Sequence, residues 1–266
     1  ATIRSFTASG HDRRRSTPVI TSTRWTRSDL VSSLSSKLWS KRSGSMGRED
    51  QPSGAIVEGG SGASLTEILT VRDMFSISGD QDRRMIEMRR DGRRADRGDL
   101  RQLDLRHIEY LARMPPTAVF RDTAFLCHGN SSSDNAFWLD RLSSDNRFGP
   151  SSASEVESTA GGINWPIILC AHTHIPRFVR LEDGRLVINP GSVGCPAYEM
   201  SAPVRHVVET GTPSACYAIL RDTPAGWHVS FRHVPYDNEA MANIALDNGA
   251  LGWAKALRTG RIDRAV

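Results

Sequence analysis

Ile167-Ile168-Leu169-Cys170-Ala171-His172-Thr173-His174 is an apolar, strand-forming run that leads directly into a loop carrying two imidazoles. Two other runs have the same form. Thr123 to Cys127 leads into His128-Gly129-Asn130, and Arg185 to Ile188 leads into Asn189-Pro190-Gly191-Ser192. Three such strands would leave three polar loops at strand ends on one side of a sheet, where ligand sites gather in α/β folds. Three imidazoles from two of these loops point to a divalent-metal pocket, because imidazole is the commonest protein ligand for Zn-, Fe- and Mn-type ions.

Outward from these runs, the pattern predicts an alternation of helices and strands. A helix is expected over Ser64 to Val71, then a strand over Met74 to Ser78 and a turn at Gly79-Asp80-Gln81-Asp82-Arg83. The stripe Leu100, Leu103, His107, Ile108 and Leu111 predicts a helix over Asp99 to Arg113 that stops at Pro115-Pro116. Next are expected a strand over 118–127, a helix near Asn135 to Leu142, a Ser/Gly-rich loop over 143–162 and a strand over 166–170. Turn residues at Asp183-Gly184 and Pro224-Ala225-Gly226 predict two hairpins, and a final helix is expected over Asn238 to Arg258.

The 266 residues suffice for one large domain with a substantial core. No apolar run reaches the roughly 18 residues of a membrane span, and the beginning of the chain lacks a charged-then-apolar leader pattern, so a cytoplasmic setting and no membrane partner are expected. The four cysteines, Cys127, Cys170, Cys195 and Cys216, have no CxxC spacing and read as buried thiols. The pI near 9.1 invites a nucleic-acid reading, but the charge is unevenly placed. Residues 1–60 hold 10 Lys and Arg against 5 Asp and Glu, whereas residues 61–266 hold 24 against 25. The orderly part is not basic, so nucleic acid is not an expected partner. The first 60 residues are 27 parts Ser, Thr and Arg, which predicts a poorly packed segment at 1–60 ahead of a folded domain at 61–266.

The ordered set Gly79-Asp80-Gln81-Asp82-Arg83, Cys127-His128-Gly129, His172-Thr173-His174-Ile175-Pro176 and Asn189-Pro190-Gly191-Ser192-Val193-Gly194 resembles the calcineurin-like metallophosphoesterases, in particular their small bacterial phosphodiesterase branch. The resemblance covers residues 63–260 or so and implies an α/β fold of two stacked mixed β-sheets flanked by helices, with a two-metal site at the strand ends. It implies hydrolysis of a phosphomonoester or phosphodiester by a metal-activated water, with Mn, Fe, Zn or Ni as the divalent ions and a phosphorylated small molecule or phosphodiester as substrate. By matching position, Asp80, His128, His172 and His174 stand at metal-ligand positions, and Gln81 stands where the family has a catalytic His. Gly129, Asn130 and Gly191 stand where phosphate would be met, although Asn189-Pro190-Gly191 reads equally well as a simple tight turn.

Three departures from the family pattern bear on activity. Asp80 replaces an Asn, and Gln81 cannot donate a proton as an imidazolium can. The family's opening D-x-H and its bridging G-D are missing where they should occur. Pro18 to Arg24 falls at the first of these, with Ser22 and Arg24 on the two ligand positions, and an Arg repels a cation. Codons permitted for residues 21–28, read from the third base, allow I-H-A-L-D-A-L-R, which is close to the family's text; no equivalent reading near residue 50 restores the bridging Asp. The expectation is a phosphoesterase impaired in this chain, with a degenerate, non-catalytic scaffold as the alternative and a nucleic-acid-binding protein as a weaker one.

Overall fold

The computed structural model describes residues 2–4, 19–21, 75–91, 105–144, 147–200, 204–247 and 249–262, the first two stretches as backbone only. The strands in chain order are β1 (Thr2–Arg4), β2 (Val19–Thr21), β3 (Thr117–Phe120), β4 (Ala124–Cys127), β5 (Asp140–Leu142), β6 (Phe148–Pro150) and β7 (Ile167–Leu169). They continue as β8 (Arg177–Arg180), β9 (Leu186–Asn189), β10 (Ala197–Met200), β11 (His206–Glu209), β12 (Ala215–Thr223) and β13 (Gly226–Val234). The helices are α1 (Asp80–Arg90), α2 (Leu105–Arg113), α3 (Ala153–Thr159), α4 (Asn238–Asp247) and α5 (Leu251–Thr259).

The central sheet runs β3-β4-β7-β9-β8, with β4, β7 and β9 parallel and the two edge strands antiparallel. Parallel strands are covered on both faces, which is why these three read as unbroken apolar runs. Their register is Leu126 beside Leu169 beside Ile188. One face, with Ala124, Leu126, Ile167, Leu169, Leu186 and Ile188, packs on Ile77, Leu220, Trp227, Val229 and Phe231. Leu220, Trp227, Val229 and Phe231 belong to the second sheet, β1-β2-β12-β13, so the two sheets stack as the resemblance implied. The described strands of the second sheet pair antiparallel. The opposite face of the central sheet, with Phe125, Cys127, Ile168, Cys170 and Val187, is covered by Val156, Ala160 and Ile163 from α3 and the loop after it, and by Trp138 and Leu139 from the loop before β5. Each of these fully buried aliphatic side chains contributes about 1.5–3 kcal/mol.

Several expected elements take another form. The strand over 118–127 is a hairpin, because Arg121 and Asp122 both adopt left-handed φ (50° each) and Thr123 Oγ1 donates to the Arg121 carbonyl at 2.8 Å. Paired left-handed residues make the tight turn that matches strand twist. The helix near Asn135 to Leu142 is absent; Trp138 and Leu139 anchor a loop through core packing and a Trp138 Nε1 bond to the Val156 carbonyl at 3.2 Å, and Asp140 starts β5. The loop over 143–162 contains β6 and α3. Helix α3 opens on a capping box in which Ser152 accepts the Glu155 N–H at 3.3 Å and Glu155 accepts the Ser152 N–H at 2.7 Å. The strand over 74–78 reduces to a bridge at Phe75 within residues 75–78. The final helix is two helices, with Gly249 at φ 71° between them. The hairpins at Asp183-Gly184 and Pro224-Ala225-Gly226 form between β8 and β9 and between β12 and β13. The expected packing of residues 1–60 and the helix over 64–71 lie outside the described residues, apart from the β1 and β2 backbone.

Helix α5 ends on Gly260 in the left-handed conformation, and a Cβ there would stand 2.3 Å from the Thr212 backbone nitrogen. Gly260→Ala therefore meets both strain and a backbone clash. It should destabilise the fold by more than about 1 kcal/mol in chemical denaturation, and an unchanged midpoint would contradict this packing.

Candidate metal centre

Three elements deliver the polar residues. Asp80 is the first residue of α1, where a carboxylate is favoured by the exposed N–H groups and the positive end of the helix dipole. Its helix is set by Gly79 and Asp82: Asp82 Oδ2 accepts the Gly79 N–H at 3.0 Å. His128 follows β4 and His172 follows β7 by three residues, so the parallel register of these strands brings their loops to one edge. Arg83 Nε and a second guanidinium nitrogen grip Asp134 at 2.7 and 3.1 Å, tying the first turn of α1 to the loop after His128.

His128 Nε2 lies 3.1 Å from Asp80 Oδ1, and His172 Nδ1 lies 3.8 Å from the same oxygen. One ligand atom from each of the three residues falls within 4.8 Å of the other two. Ligands about 2.1 Å from one ion stand roughly 3–4 Å apart, close to the spacing of this donor set, so small side-chain movements would bring all three onto a single divalent cation. Gln81 Nε2 donates to Asp80 Oδ2 at 3.0 Å, which leaves Oδ1 facing the imidazoles. Gly79 is required beside them: a Cβ at that position would come within 2.7 Å of His128 Nδ1.

Burial by itself would raise the Asp80 carboxyl, but hydrogen bonds and attraction from His128 and His172 outweigh it and hold it well below the usual carboxylate range. Burial pushes His128 the other way, below the ordinary imidazole value, and outweighs its bond to Asp80. An ionised carboxylate beside an uncharged imidazole is the protonation state a metal ion needs.

The His172-Thr173-His174 segment is held in a costly conformation, with His172 and His174 at φ 70° and 63°. Each such residue costs on the order of 1–3 kcal/mol and persists only where its surroundings over-determine it. Here they do. Buried Thr173 donates to Asp140 Oδ2 at 2.8 Å, and Asn189 Nδ2 donates to Thr173 Oγ1 at 3.1 Å and to the Ala171 carbonyl at 2.8 Å. Asp140 is fully enclosed and also accepts from Arg177 Nε at 3.1 Å. Burial raises its carboxyl above the ordinary value, more than Arg177 and Thr173 lower it.

Not every residue read as a ligand joins the cluster. His174 lies outside the group of three; its Nδ1–H donates to the Cys195 carbonyl at 3.0 Å and its ring meets Tyr198 edge to face at 4.9 Å. The residues read as phosphate contacts have loop-building roles here. Gly129 packs so closely that a Cβ would stand 2.4 Å from the Ser133 carbonyl oxygen. Asn130 Oδ1 accepts the Ser132 and Ser133 N–H groups at 2.9 Å each. Gly191, at φ 89°, donates its N–H to Asn189 Oδ1 at 3.0 Å, which is the tight-turn reading. Gly79, Asp140 and Asn189 were not read as site residues; Gly79 and Asn189 lie inside quoted motifs, whereas nothing local marks Asp140. All four cysteines are buried and free, with the Cys127 thiol pushed up to about 12 by burial.

Burial lowers His174 to about 3, more than the Cys195 bond raises it. A depressed folded-state value means that the unfolded chain takes up a proton below about pH 6.5 while the folded chain does not until near pH 3. Stability contributed by neutral His174 is therefore complete above pH 6.5 and is lost as pH falls toward 3, by about 1.4 kcal/mol per pH unit. His174→Phe should flatten that segment of a stability-against-pH curve, and an equally steep curve in the variant would rule the assignment out.

No protein-family model and no curated protein matches the sequence. Solved structures do. A metallophosphoesterase from Sphaerobacter thermophilus superposes with a TM-score of 0.54 at 19% identity, over 75% of this chain and 82% of that one. The hypothetical protein PH1004 from Pyrococcus horikoshii OT3 gives 0.52 at 17% identity, over 76% and 79%. No helix among the described residues is long and apolar enough to cross a membrane. The stacked sheets, the strand-end loops and these neighbours agree with the resemblance read from the motifs: the chain shares the fold of the metallophosphoesterase from Sphaerobacter thermophilus.

Proposed function

We propose that this chain is a cytoplasmic, metal-dependent phosphoesterase acting on phosphodiesters, or on phosphomonoesters of small molecules. The observation that carries the reading is the convergence of Asp80, His128 and His172 at the strand ends of this fold. These three would hold the ion. A divalent cation supplies Lewis acidity toward a phosphoryl oxygen and lowers the pKa of water, which is what hydrolysis of an anionic ester requires. Two imidazoles and a carboxylate suit Mn, Fe or Zn, and manganese is the ion proposed.

The chain's own residues divide the remaining work. Gln81 orients Asp80 through its amide and can donate an N–H to an ester oxygen, but it has no proton to give up to a leaving group. Asp140, Thr173 and Asn189 keep His172 in its left-handed conformation and so act as positioning residues. Ser22 and Arg24 replace ligands in the sequence, and no bridging carboxylate follows them, so this chain takes up one ion rather than two. Each electrostatic contribution lost with a second ion, about 3–4 kcal/mol, costs a factor of roughly 10² to 10³ in rate. The missing ligands are also what favours the second reading, a scaffold that binds metal without turnover.

Calorimetric titration with Mn and hydrolysis of bis(4-nitrophenyl) phosphate test both. One equivalent bound, lost in Asp80→Ala and His172→Ala, with slow but Mn-dependent hydrolysis, is the expected result. Binding without any hydrolysis favours the scaffold. Two equivalents, or turnover at rates normal for enzymes, would refute the single-ion assignment.

A further inference from the structure

His172 stands at the centre of a γ-turn. The Thr173 N–H donates back to the Ala171 carbonyl at 2.8 Å, and His172 has φ 70°. A γ-turn with positive φ at its central residue is rare and strained. The same turn directs the His172 imidazole toward Asp80, with Nδ1 3.8 Å from Oδ1, so the strain and the ligand position are one feature. The Ala171 carbonyl also accepts Asn189 Nδ2 at 2.8 Å, which fixes one end of the turn to the central sheet. The His172 carbonyl takes no part in the turn. It accepts the hydroxyl of Tyr198 at 3.2 Å, from a residue 26 positions further along the chain.

The same tyrosine meets the second left-handed residue of the loop. Its ring lies edge to face with His174 at 4.9 Å, and the nearby Cys195 carbonyl accepts His174 Nδ1–H at 3.0 Å. Tyr198 is itself anchored independently of the loop. It lies in β10 opposite Val208 of β11, and the strand is committed to the core through buried Ala197 and Val208. The open end of this hairpin is fastened to the end of α5: the Gly211 N–H donates to the Gly260 carbonyl at 3.0 Å, and the Ile262 N–H donates to Glu209 Oε1 at 2.8 Å.

We propose that Tyr198 is a positioning residue of the metal centre, its hydroxyl holding the His172 peptide in the strained turn and its ring bracing His174. A hydroxyl on a fixed strand keeps that peptide from rotating into an unstrained conformation, which would carry the imidazole away from Asp80 and His128. Affinity for the ion then depends on a side chain that is not a ligand, because an ion binds only the fraction of molecules whose ligands are in place. The inference rests on the proposed metal-dependent phosphoesterase reading and adds to it the residue that maintains the ligand geometry.

Tyr198→Phe tests this in the full chain, since it keeps the ring beside His174 and removes only the hydroxyl. The Mn dissociation constant from calorimetry should rise about three- to tenfold, the worth of one hydrogen bond. The denaturation midpoint of the metal-free protein should hardly move, because relief of strain at His172 offsets the lost bond. A merely structural tyrosine gives the reverse, a lower midpoint with an unchanged Mn constant, and an unchanged constant would overturn the proposal. Failure of the wild-type chain to bind Mn would instead sink the phosphoesterase reading. Nitrogen-15 relaxation dispersion on the metal-free protein then decides the hold of Tyr198 on the turn by itself. Exchange at the His172 and Thr173 amides that appears only in Tyr198→Phe supports it, and amides as quiet in the variant as in wild type refute it.

Discussion

The register of three parallel strands governs everything at the site. Leu126, Leu169 and Ile188 lie side by side, so Cys127 and Asn189, which end β4 and β9, and Cys170, which follows β7, stand at one level. A slip of one residue would exchange the two faces of a strand. The face that packs on β12 and β13 and the face that packs on α3 are both apolar, but they are filled by different side chains. Leu126 and Leu169 would be exchanged for Cys127 and Ile168 under such a slip, with the volumes of both cores disturbed at once. Core packing therefore fixes the register, and the register fixes where His128 and His172 emerge.

A buried carboxylate is the second constraint. Removing Asp80 from water costs several kcal/mol unless hydrogen bonds and neighbouring positive charge compensate. The compensation is arranged on three sides: the start of α1, the Gln81 amide on Oδ2, and the imidazoles of His128 and His172 at Oδ1. The same contacts that make the charge tolerable also make the group a ligand set, because each imidazole nitrogen that faces Oδ1 becomes a donor to a cation once its proton leaves. Gly79 is what allows the approach, since any side chain there would occupy the space of the His128 ring.

The legible parts of this fold are those where one local signal sufficed. The runs before His128 and His172 are short, apolar and followed at once by polar loops, and they form β4 and β7 as read. Hairpins at Asp183-Gly184 and Pro224-Ala225-Gly226 carried their own turn chemistry. Misreadings arose where tertiary packing decides. Asn135 to Leu142 has helix-like spacing, yet Trp138 and Leu139 are committed to the core under the central sheet and Asp140 to Thr173, so the segment takes the shape those contacts demand. Ser152 and Glu155 form a capping box that the serine-rich composition around them obscured. Asp140 bonds to Thr173 and Arg177 across 33 and 37 residues, a partnership that no local pattern announces. His174 sits in the same motif as His172 but spends its Nδ1 on the Cys195 carbonyl, a distinction that only the fold makes.

Asp80 itself links the sequence departures to the site. With the Asn that the resembled family has at this position, a cation held by one amide and two neutral imidazoles would have no counter-charge from these three residues. The family supplies that charge with its bridging carboxylate, which has no counterpart at the expected place in this sequence. A carboxylate at position 80 adds one negative charge directly to the ligand group, and strong hydrogen bonding keeps it ionised. On the proposed single-ion reading, the replacement of Asn by Asp and the loss of the bridging acid offset one another. What such a site gives up in electrostatic support for catalysis it can keep in affinity, because one divalent cation faces one full negative charge in a largely enclosed pocket, where Coulomb attraction is several times stronger than in water.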